Sequence, residues 1–107
     1  MTREVRIEHC YPQAHGFLVA HGHQGVAVLH ALLQEADRDG DALIASASSR
    51  TLAARTELLS KDTVHRHLLK LLRAGVLVRV PPRDPRTPAY AVRLDGLGIS
   101  VTILDRP

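Results

Sequence analysis

The segment from Ser60 to Gly75 constrains the fold of this chain more than any other part of it. At about 100° per residue, its apolar side chains gather within an arc of roughly 100° on one side of a helix. These residues are Val64, Leu68, Leu71 and Leu72. The opposite side carries hydrogen-bonding or cationic residues, namely Asp62, Thr63, Arg66, Lys70 and Arg73. We expect Ser60 to cap this helix, which runs to Arg73, and Gly75 to end it.

Two further helices are predicted before this segment. A core helix should run from about Gln24 to Asp37, because apolar residues recur there at helical spacing and stop at the turn signal Asp39-Gly40. The residues that carry this pattern are Val26, Leu29, Leu33 and Ala36, widened by Val28 and Leu32. A shorter helix should run to about Thr56 from a cap at Ser48 or Ser49.

Strands are predicted mainly after the long helix. Runs of β-branched and apolar residues bounded by Pro and Gly fall at Val76–Val80, Tyr90–Leu94 and Ile99–Leu104. The first two should pair as a hairpin. Near the N-terminus, Val5 and Ile7 alternate with charged residues as in a short strand. The expected fold class is α+β, mainly α, with a two- or three-stranded β-hairpin.

Chain length and composition exclude several classes of protein. With 107 residues there is room for one domain, which we place at residues 24–94, between an N-terminal extension at 1–23 and a C-terminal strand or tail at 95–107. The chain has no Trp, one Phe and two Tyr, too few aromatic rings for a platform that stacks single-stranded nucleic acid. Cys10 is the only cysteine, so no internal disulfide can form. No uninterrupted apolar run approaches the roughly 18 residues of a membrane span, and no signal-peptide core is visible. We expect a soluble, cytoplasmic protein without membrane contact.

Charge is distributed unevenly along the chain. Residues 1–48 contain three cations and six anions, a balance of −3, whereas residues 49–107 contain eleven cations and five anions, a balance of +6. A basic segment of this kind can follow the phosphates of a nucleic acid and gain affinity from counterion release. The alternative is a solvated basic surface.

The polar side of the 60–73 helix is suited to the major groove of DNA. Arg66 is the best candidate for reading a base, because a guanidinium can bind the two acceptors of guanine in a bidentate fork. Lys61 and Thr63 lie in the first turn, where free backbone amides also favour phosphate.

The predicted hairpin adds a second cationic element. Its loop, PPRDPRTP at residues 81–88, holds Arg83 and Arg86 between prolines that limit the backbone conformation. A stiff loop with two cations suits the minor groove or the DNA backbone beside a recognition helix. The predicted DNA-contacting residues are Arg50, Thr51, Ser60, Lys61, Asp62, Thr63, His65, Arg66, Lys70, Arg73, Arg79, Arg83 and Arg86.

The stretch from Thr51 to Leu77 resembles the bacterial winged helix-turn-helix pattern. In that pattern Leu-Ala opens the first helix, Ser-x-x-Thr-Val opens the recognition helix and Leu-x-x-Leu-x-x-x-Gly closes it. The matching positions are Leu52, Ala53, Ser60, Thr63, Val64, Leu68, Leu71 and Gly75. The resemblance covers residues 24–94. It departs from the pattern in the turn, where the spacing from Leu52 to Ser60 is one residue longer and Glu57 stands near the usual glycine.

This resemblance implies a domain that binds double-stranded DNA through a recognition helix at residues 60–74 and a wing at residues 81–88. Proteins with this pattern include both transcriptional repressors and replication initiators of mobile elements. Our first interpretation is a transcriptional regulator acting as a homodimer, since two-fold symmetry doubles the contacts over a palindromic site. The alternatives are a replication or partition protein and a winged-helix module that binds other proteins.

Other motifs do not support a metal site or an enzyme. Cys10 lies near four histidines, at positions 9, 15, 21 and 23, without the spacing of a zinc site. His65 and His67 diverge by about 200° on a helix, so they cannot share one ion, although both would gain charge in mild acid and strengthen phosphate contact. Asp37, Asp39 and Asp41 resemble the opening of a calcium loop but lack its later Glu. We expect no catalytic residues, no cofactor and no small-molecule effector.

Overall fold

The computed structural model describes residues 2–106, and for Thr2 and Arg106 only the backbone. It is a compact α+β fold in which the described residues form three helices and six strands in two sheets. In chain order the elements are β1 (Thr2–His9), α1 (Gln13–Leu33), β2 (Ala36–Asp39), β3 (Ala42–Ser46), α2 (Ser49–Thr56), α3 (Lys61–Arg73), β4 (Leu77–Val80), β5 (Ala89–Val92) and β6 (Ile99–Arg106).

The first and last strands pair with each other. β1 and β6 form a two-stranded antiparallel ribbon in which Thr2 lies opposite Arg106 and His9 opposite Ile99. The strand predicted from Val5 and Ile7 is therefore confirmed, as is the strand predicted at Ile99–Leu104. The alternation places Val5, Ile7, Ile99, Val101 and Ile103 on the face that packs against the core, whereas Glu4, Arg6 and Glu8 lie on the other face.

Helix α1 differs from the helix predicted at Gln24–Asp37 at both ends. It begins eleven residues earlier, at Gln13, and it ends at Leu33. Gly22 has a φ of 70° and a ψ of 178°, so α1 consists of two helical halves separated by a kink. A periodicity search across this kink finds only the second half, because the break changes the direction of the buried side. The predicted domain boundary at residue 23 falls at this kink.

Helix α1 is also long and apolar enough to cross a membrane by length and composition, although no uninterrupted apolar run indicated this. It contains no Asp, Glu, Lys or Arg. In its most apolar 18-residue stretch, 44% of the residues are buried within the fold. A core helix passes the same test, and the burial of Val28, Leu29, Leu32 and Leu33 is consistent with a soluble protein.

The end of the predicted core helix is a β-hairpin instead. Ala36–Asp39 pairs with Ala42–Ser46, and the Asp39-Gly40 turn signal closes the hairpin, with Gly40 at a φ of 61°. Ala36 is buried in the core as part of strand β2, and its apolar side chain also fitted the predicted helical pattern. Neither β2 nor β3 was predicted, because β2 consists of alanine and charged residues, and β3 has only Leu43 and Ile44 between alanines.

The second sheet has four antiparallel strands in the order β2-β3-β5-β4. The hairpin predicted from residues 76–80 and 90–94 is confirmed as β4 and β5, with Leu77 opposite Val92 and Val80 opposite Ala89. The sheet is wider than the predicted two- or three-stranded hairpin, because β3 pairs with β5, whereas β6 joins β1 in the other sheet.

Helices α2 and α3 begin and end as predicted. Ser48 and Ser60 are their N-caps, and each hydroxyl accepts a hydrogen bond from the backbone N–H three residues later, at 3.1 Å. Beyond Arg73, the N–H of Gly75 donates to the carbonyl of Leu72 and that of Val76 to the carbonyl of Leu71. With Gly75 at a φ of 77°, this is a Schellman ending.

All three helices and both sheets contribute to one hydrophobic core. Its largest fully buried side chains are Val28, Leu29, Leu32, Leu33, Leu52, Val64, Leu71 and Leu77. Aliphatic packing therefore holds α3 against α1, α2 and β4. This packing fixes which side of α3 remains in solvent.

Candidate nucleic-acid interface

The two predicted sides of α3 are present in the structure. Val64, Leu68 and Leu71 are buried, and Leu72 is half-buried against the same core. On the solvent side, the exposed residues are Lys61, Asp62, His65, Arg66, Lys70 and Arg73. Leu69 is half-buried on the solvent side, an apolar residue that the sequence interpretation did not include.

The first turn of α3 is held by a local hydrogen-bond pair. The Ser60 hydroxyl accepts the N–H of Thr63 at 3.1 Å and donates to the Thr63 hydroxyl at 3.0 Å. These two predicted contact residues therefore define the start of the helix. Lys61 and Asp62 in the same turn are exposed. A phosphate placed here would meet the positive end of the helix dipole and the Lys61 ammonium, but also the Asp62 carboxylate.

All eight predicted lysines and arginines are exposed and belong to no ion pair among the described residues. They are Arg50, Lys61, Arg66, Lys70, Arg73, Arg79, Arg83 and Arg86. The ion pairs found within residues 2–106 are Arg3–Asp37, Arg6–Glu4 and Arg55–Glu35, all outside this set. Cations without an internal carboxylate partner keep their full charge available for an external anion.

The start of α2 contributes two of the predicted residues. Arg50 and Thr51 are exposed in its first turn, beside the Ser48 cap. The Thr51 hydroxyl lies 3.1 Å from the Ser48 hydroxyl, so it takes part in the cap. Arg50 is the only charged residue of that turn.

Asp84 organises the loop between β4 and β5. It accepts the N–H of Arg86 at 3.0 Å and the Thr87 hydroxyl at 3.4 Å, while its own carbonyl accepts the N–H of Thr87 at 3.0 Å. The carboxylate therefore closes an Asx-type turn within the loop, and the neighbouring arginines stay exposed. The sequence interpretation assigned the stiffness of this loop to its prolines alone.

The two loop arginines have different surroundings. Arg83 borders a cleft of about 310 Å³ beside the four-stranded sheet, together with Asp37, Arg38 and Asp39 of β2. Arg86 does not line this cleft.

Arg79 lies on β4 opposite Tyr90 of β5, with its side chain exposed at the sheet edge. Tyr90 is buried, and this burial raises its pKa above the ordinary value of 10.0, while the nearby Arg79 acts in the opposite direction. The phenol is therefore neutral at physiological pH.

Lys70 and His67 both contact α1, although the Lys70 side chain remains exposed. The Lys70 ammonium donates to the carbonyl of Ala20 at 3.2 Å, just before the kink at Gly22. Because Gly22 interrupts the i→i+4 ladder, this carbonyl lies where α1 needs another donor. His67 is buried and lies 3.3 Å from the Gln24 side-chain oxygen through Nε2. The expectation that His67 strengthens phosphate contact is wrong, and Lys70 already has a backbone partner.

His67 and His21 form a buried imidazole pair between α3 and α1. Each leaves its Nδ1 without a hydrogen-bond partner among the described residues. Burial lowers the pKa of both below 6.5, and cations add to the effect, chiefly Lys70 at His21 and Arg66 at His67. A signal for this pair exists in the run His-Gly-His-Gln-Gly at residues 21–25, which supplies His21 and Gln24 and contains the kink at Gly22.

Gly25 lies where the kinked α1 comes beside α3. A Cβ at this position would lie 2.6 Å from the Cβ of His21, within α1 itself, and 3.4 Å from Nδ1 of His67 in α3. A side chain here would therefore clash with His21, whereas His67 lies at ordinary contact distance.

The turn between α2 and α3 differs from a glycine turn, as the sequence indicates. It spans residues 57–60, and Glu57 has a φ of 61°. The Thr56 carbonyl accepts the N–H of Leu58 at 2.6 Å, which closes a γ-turn around Glu57. Leu58 projects from this turn with 93% of its surface exposed.

The histidine and cysteine residues do not gather into a metal centre. Within residues 2–106, no group of three His, Cys, Asp or Glu side chains is positioned to hold an ion. His9 and His30 meet through their Nε2 atoms at 2.7 Å, which requires one ring to donate to the other. Burial, and then His9, lowers the pKa of His30.

No protein-family model, curated protein or solved structure matches this chain. The chemistry of the surface around α3 is therefore the basis for assigning a function.

Proposed function

We propose that this chain is a winged helix-turn-helix domain that binds double-stranded DNA in a sequence-specific manner and regulates transcription. The observation that carries the proposal is the solvent side of α3, where Lys61, Arg66 and Arg73 are exposed and without ion-pair partners in the described chain. The opposite side of the helix packs into the core. A rigid helix that presents unpaired cations and hydrogen-bond donors fits the major groove.

The surrounding elements support the finer assignment of the fold. The second half of α1, then α2, the turn, α3 and the β4–β5 hairpin follow one another in winged-helix order. The β2–β3 hairpin, which lies between α1 and α2, adds strands to the sheet of the wing. The loop at residues 81–88 corresponds to the wing, and its arginines are exposed.

In this interface the residues have distinct tasks. Arg66 reads a guanine edge, because its guanidinium can donate two parallel hydrogen bonds to O6 and N7. Lys61 and Arg73 contact phosphates at the two ends of α3, with Arg50 from α2 beside them. Arg86 and Arg83 bind the backbone or the minor groove from the loop. Lys70 positions α3 through its bond to Ala20 rather than contacting DNA.

Salt dependence is the first test. Binding of a fluorescent duplex library to the purified chain, followed by anisotropy at about 50 and 200 mM salt, should show a loss of affinity of several orders of magnitude if six or more phosphates are contacted. Affinity that stays constant over this range, or a complete lack of binding to any duplex of the library, would reject the proposal.

Substitutions then separate base reading from phosphate contact. Arg66→Ala should weaken the selected site by about 1–3 kcal/mol more than it weakens random DNA. The double change Arg83→Ala with Arg86→Ala should weaken both about equally and lower the salt slope. Arg93→Ala is the matched control, an exposed arginine after β5 and outside the predicted interface. Equal effects of the Arg66 and Arg93 changes would contradict the assigned roles.

A protein-docking module is the second candidate, favoured by two apolar residues near α3. Leu58 is almost fully exposed in the turn before α3, and Leu69 is half-buried on the helix's solvent side. An apolar contact through these residues would respond little to salt. Leu58→Ser should then abolish capture of the partner, whereas it should leave DNA affinity unchanged under the first proposal.

A further inference from the structure

The β1–β6 ribbon has a defined pattern of inward and outward backbone groups. The N–H of Cys10 donates to the carbonyl of Gly98 at 2.6 Å, which continues the register of the ribbon. Because this pattern alternates, the backbone N–H and C=O groups of the even-numbered residues of β1 bond to β6. Those of the odd-numbered residues point away from β6. Arg38 confirms the alternation, since it binds the outward carbonyl of Val101 at 3.1 Å.

The two outer edges of the ribbon are not equivalent. The β6 edge faces the rest of the chain, because Arg38 binds Val101 and residues 99–101 border a cleft of about 400 Å³ with the ends of β3 and β5. The β1 edge has no third strand beside it in the part of the chain that the structure describes. The outward N–H and C=O groups of Arg3, Val5 and Ile7 therefore lie along an open edge eight residues long.

We propose that the β1 edge binds a second copy of this chain, through antiparallel β1–β1 pairing about a two-fold axis at Val5. The two ribbons then form one four-stranded sheet in the order β6-β1-β1-β6. This inference concerns self-association alone and does not depend on DNA binding. A second copy is the partner because the charges of β1 are complementary to those of another β1 strand that runs antiparallel to it.

Charge complementarity selects the register. With the axis at Val5, Glu4 lies opposite Arg6 of the second copy, and Arg6 lies opposite its Glu4. These are non-hydrogen-bonded pairs, in which facing side chains approach most closely. Glu4 and Arg6 already form an ion pair along the strand at 3.0 Å, so the dimer joins two such pairs into one network of four charges.

Neighbouring registers are less favourable. An axis at Glu4 or at Arg6 places two like charges directly opposite each other. An axis at Ile7 brings Arg6 opposite Glu8, but β1 ends at His9, so five residues overlap instead of the seven available about Val5. The Val5 axis therefore combines the longest ladder with opposite charges.

The apolar face of the ribbon is compatible with this arrangement. Val5 and Ile7 are half-buried and pack against the core on one side of β1, while Glu4 and Arg6 lie on the other side. Pairing at the edge would extend both faces by strand addition, in which main-chain hydrogen bonds join the two copies.

Charge reversal gives a decisive test. The wild-type chain should sediment as a dimer, and Glu4→Arg or Arg6→Glu alone should raise the dissociation constant by about tenfold or more, since each change creates two like-charge pairs per dimer. An equimolar mixture of the two variants should associate again, because every new arginine at position 4 then faces a new glutamate at position 6. Re-association also shows that both variants are folded.

Glu8→Arg is the matched control, with the same charge change on the same face of β1. At the Val5 register it faces residue 2 of the second copy, an uncharged threonine, so the dimer should persist. Dissociation by Glu8→Arg but not by Glu4→Arg would overturn the register in favour of the Ile7 axis. A wild-type chain that is monomeric at every concentration, or a mixture that fails to associate, would overturn the proposal, and the DNA-binding test would be unaffected.

Discussion

The two polar flanks of α3 carry similar side chains but serve different purposes. On one flank, Arg66 and Arg73 are exposed and without ion-pair partners in the described chain. On the other, Lys70 binds the Ala20 carbonyl, and His67 is buried beside His21. Lys70 lies one helical turn after Arg66, yet it contacts α1, whereas Arg66 remains available to a ligand.

This difference shows that charge and helical position do not assign a role by themselves. The position of α1 decides which polar side chains of α3 find a partner, and Gly22 permits the kink in α1 next to which Lys70 and His67 bind. The α1-facing flank should therefore respond to changes in stability, and the solvent-facing flank to changes in ligand binding. Three experiments test this separation.

Gly25→Ala should have the largest effect on stability. Its new Cβ would meet the Cβ of His21 at 2.6 Å, where backbone and side chain have little room to move, and overpacking of this kind costs about 1–3 kcal/mol. Chemical denaturation measures the loss. Gly16→Ala is the control in the same helix, because nothing lies within 4 Å of its new Cβ. It should stabilise the protein by about 0.5–1 kcal/mol through helix propensity. Equal effects of the two changes would refute close packing at Gly25.

Lys70→Ala should have an intermediate effect, and it should appear in stability. Removing the exposed ammonium from the Ala20 carbonyl should cost about 0.5–1 kcal/mol. Arg73→Ala, three residues later on the solvent side, should change stability by less than about 0.5 kcal/mol and weaken DNA binding instead. Parallel denaturation and anisotropy measurements compare the two. The separation of the flanks fails if Lys70→Ala lowers DNA affinity as much as Arg73→Ala without changing stability.

Acid should produce the smallest of the three effects. The pKa values of His21 and His67 are lowered below 6.5 in the folded chain, first by burial and then by neighbouring cations. The unfolded chain therefore binds more protons in mild acid. Stability should be complete above about pH 6.5 and decline as the pH falls toward the folded-state values. His30, with a pKa lowered by burial and by His9, adds to the same decline.

Denaturation midpoints at pH 7.5 and 5.5 measure this acid loss, and His67→Gln should reduce it. His65→Gln is the control, since His65 is exposed on the solvent flank. A midpoint that does not change between the two pH values would show that the imidazoles between α1 and α3 titrate freely.

Sequence reasoning succeeded where the signals are local. Ser48, Ser60 and Gly75 determine the ends of α2 and α3 through bonds to residues within one turn, so their roles can be read from neighbouring letters. The strands around Val5 and Tyr90 were also predictable, because alternation and β-branching are properties of short windows. The exposed cations of α3 follow from helical spacing alone.

The errors share one physical origin. The contact of Lys70 with Ala20 joins residues 50 positions apart. The same holds for the burial of His67 against Gln24, 43 positions away. The β2–β3 hairpin carries few strand-forming residues and depends on β5 for its place in a sheet.

By itself, the sequence determined the amphipathic character of α3, its caps, the unequal distribution of charge along the chain and the self-complementary charges of β1. Only the tertiary structure decided which polar residues of α3 face α1, which edge of the ribbon stays open and that β6 pairs with β1. The reason is that local propensities fix the directions of side chains around one element, whereas burial depends on which other element packs against it.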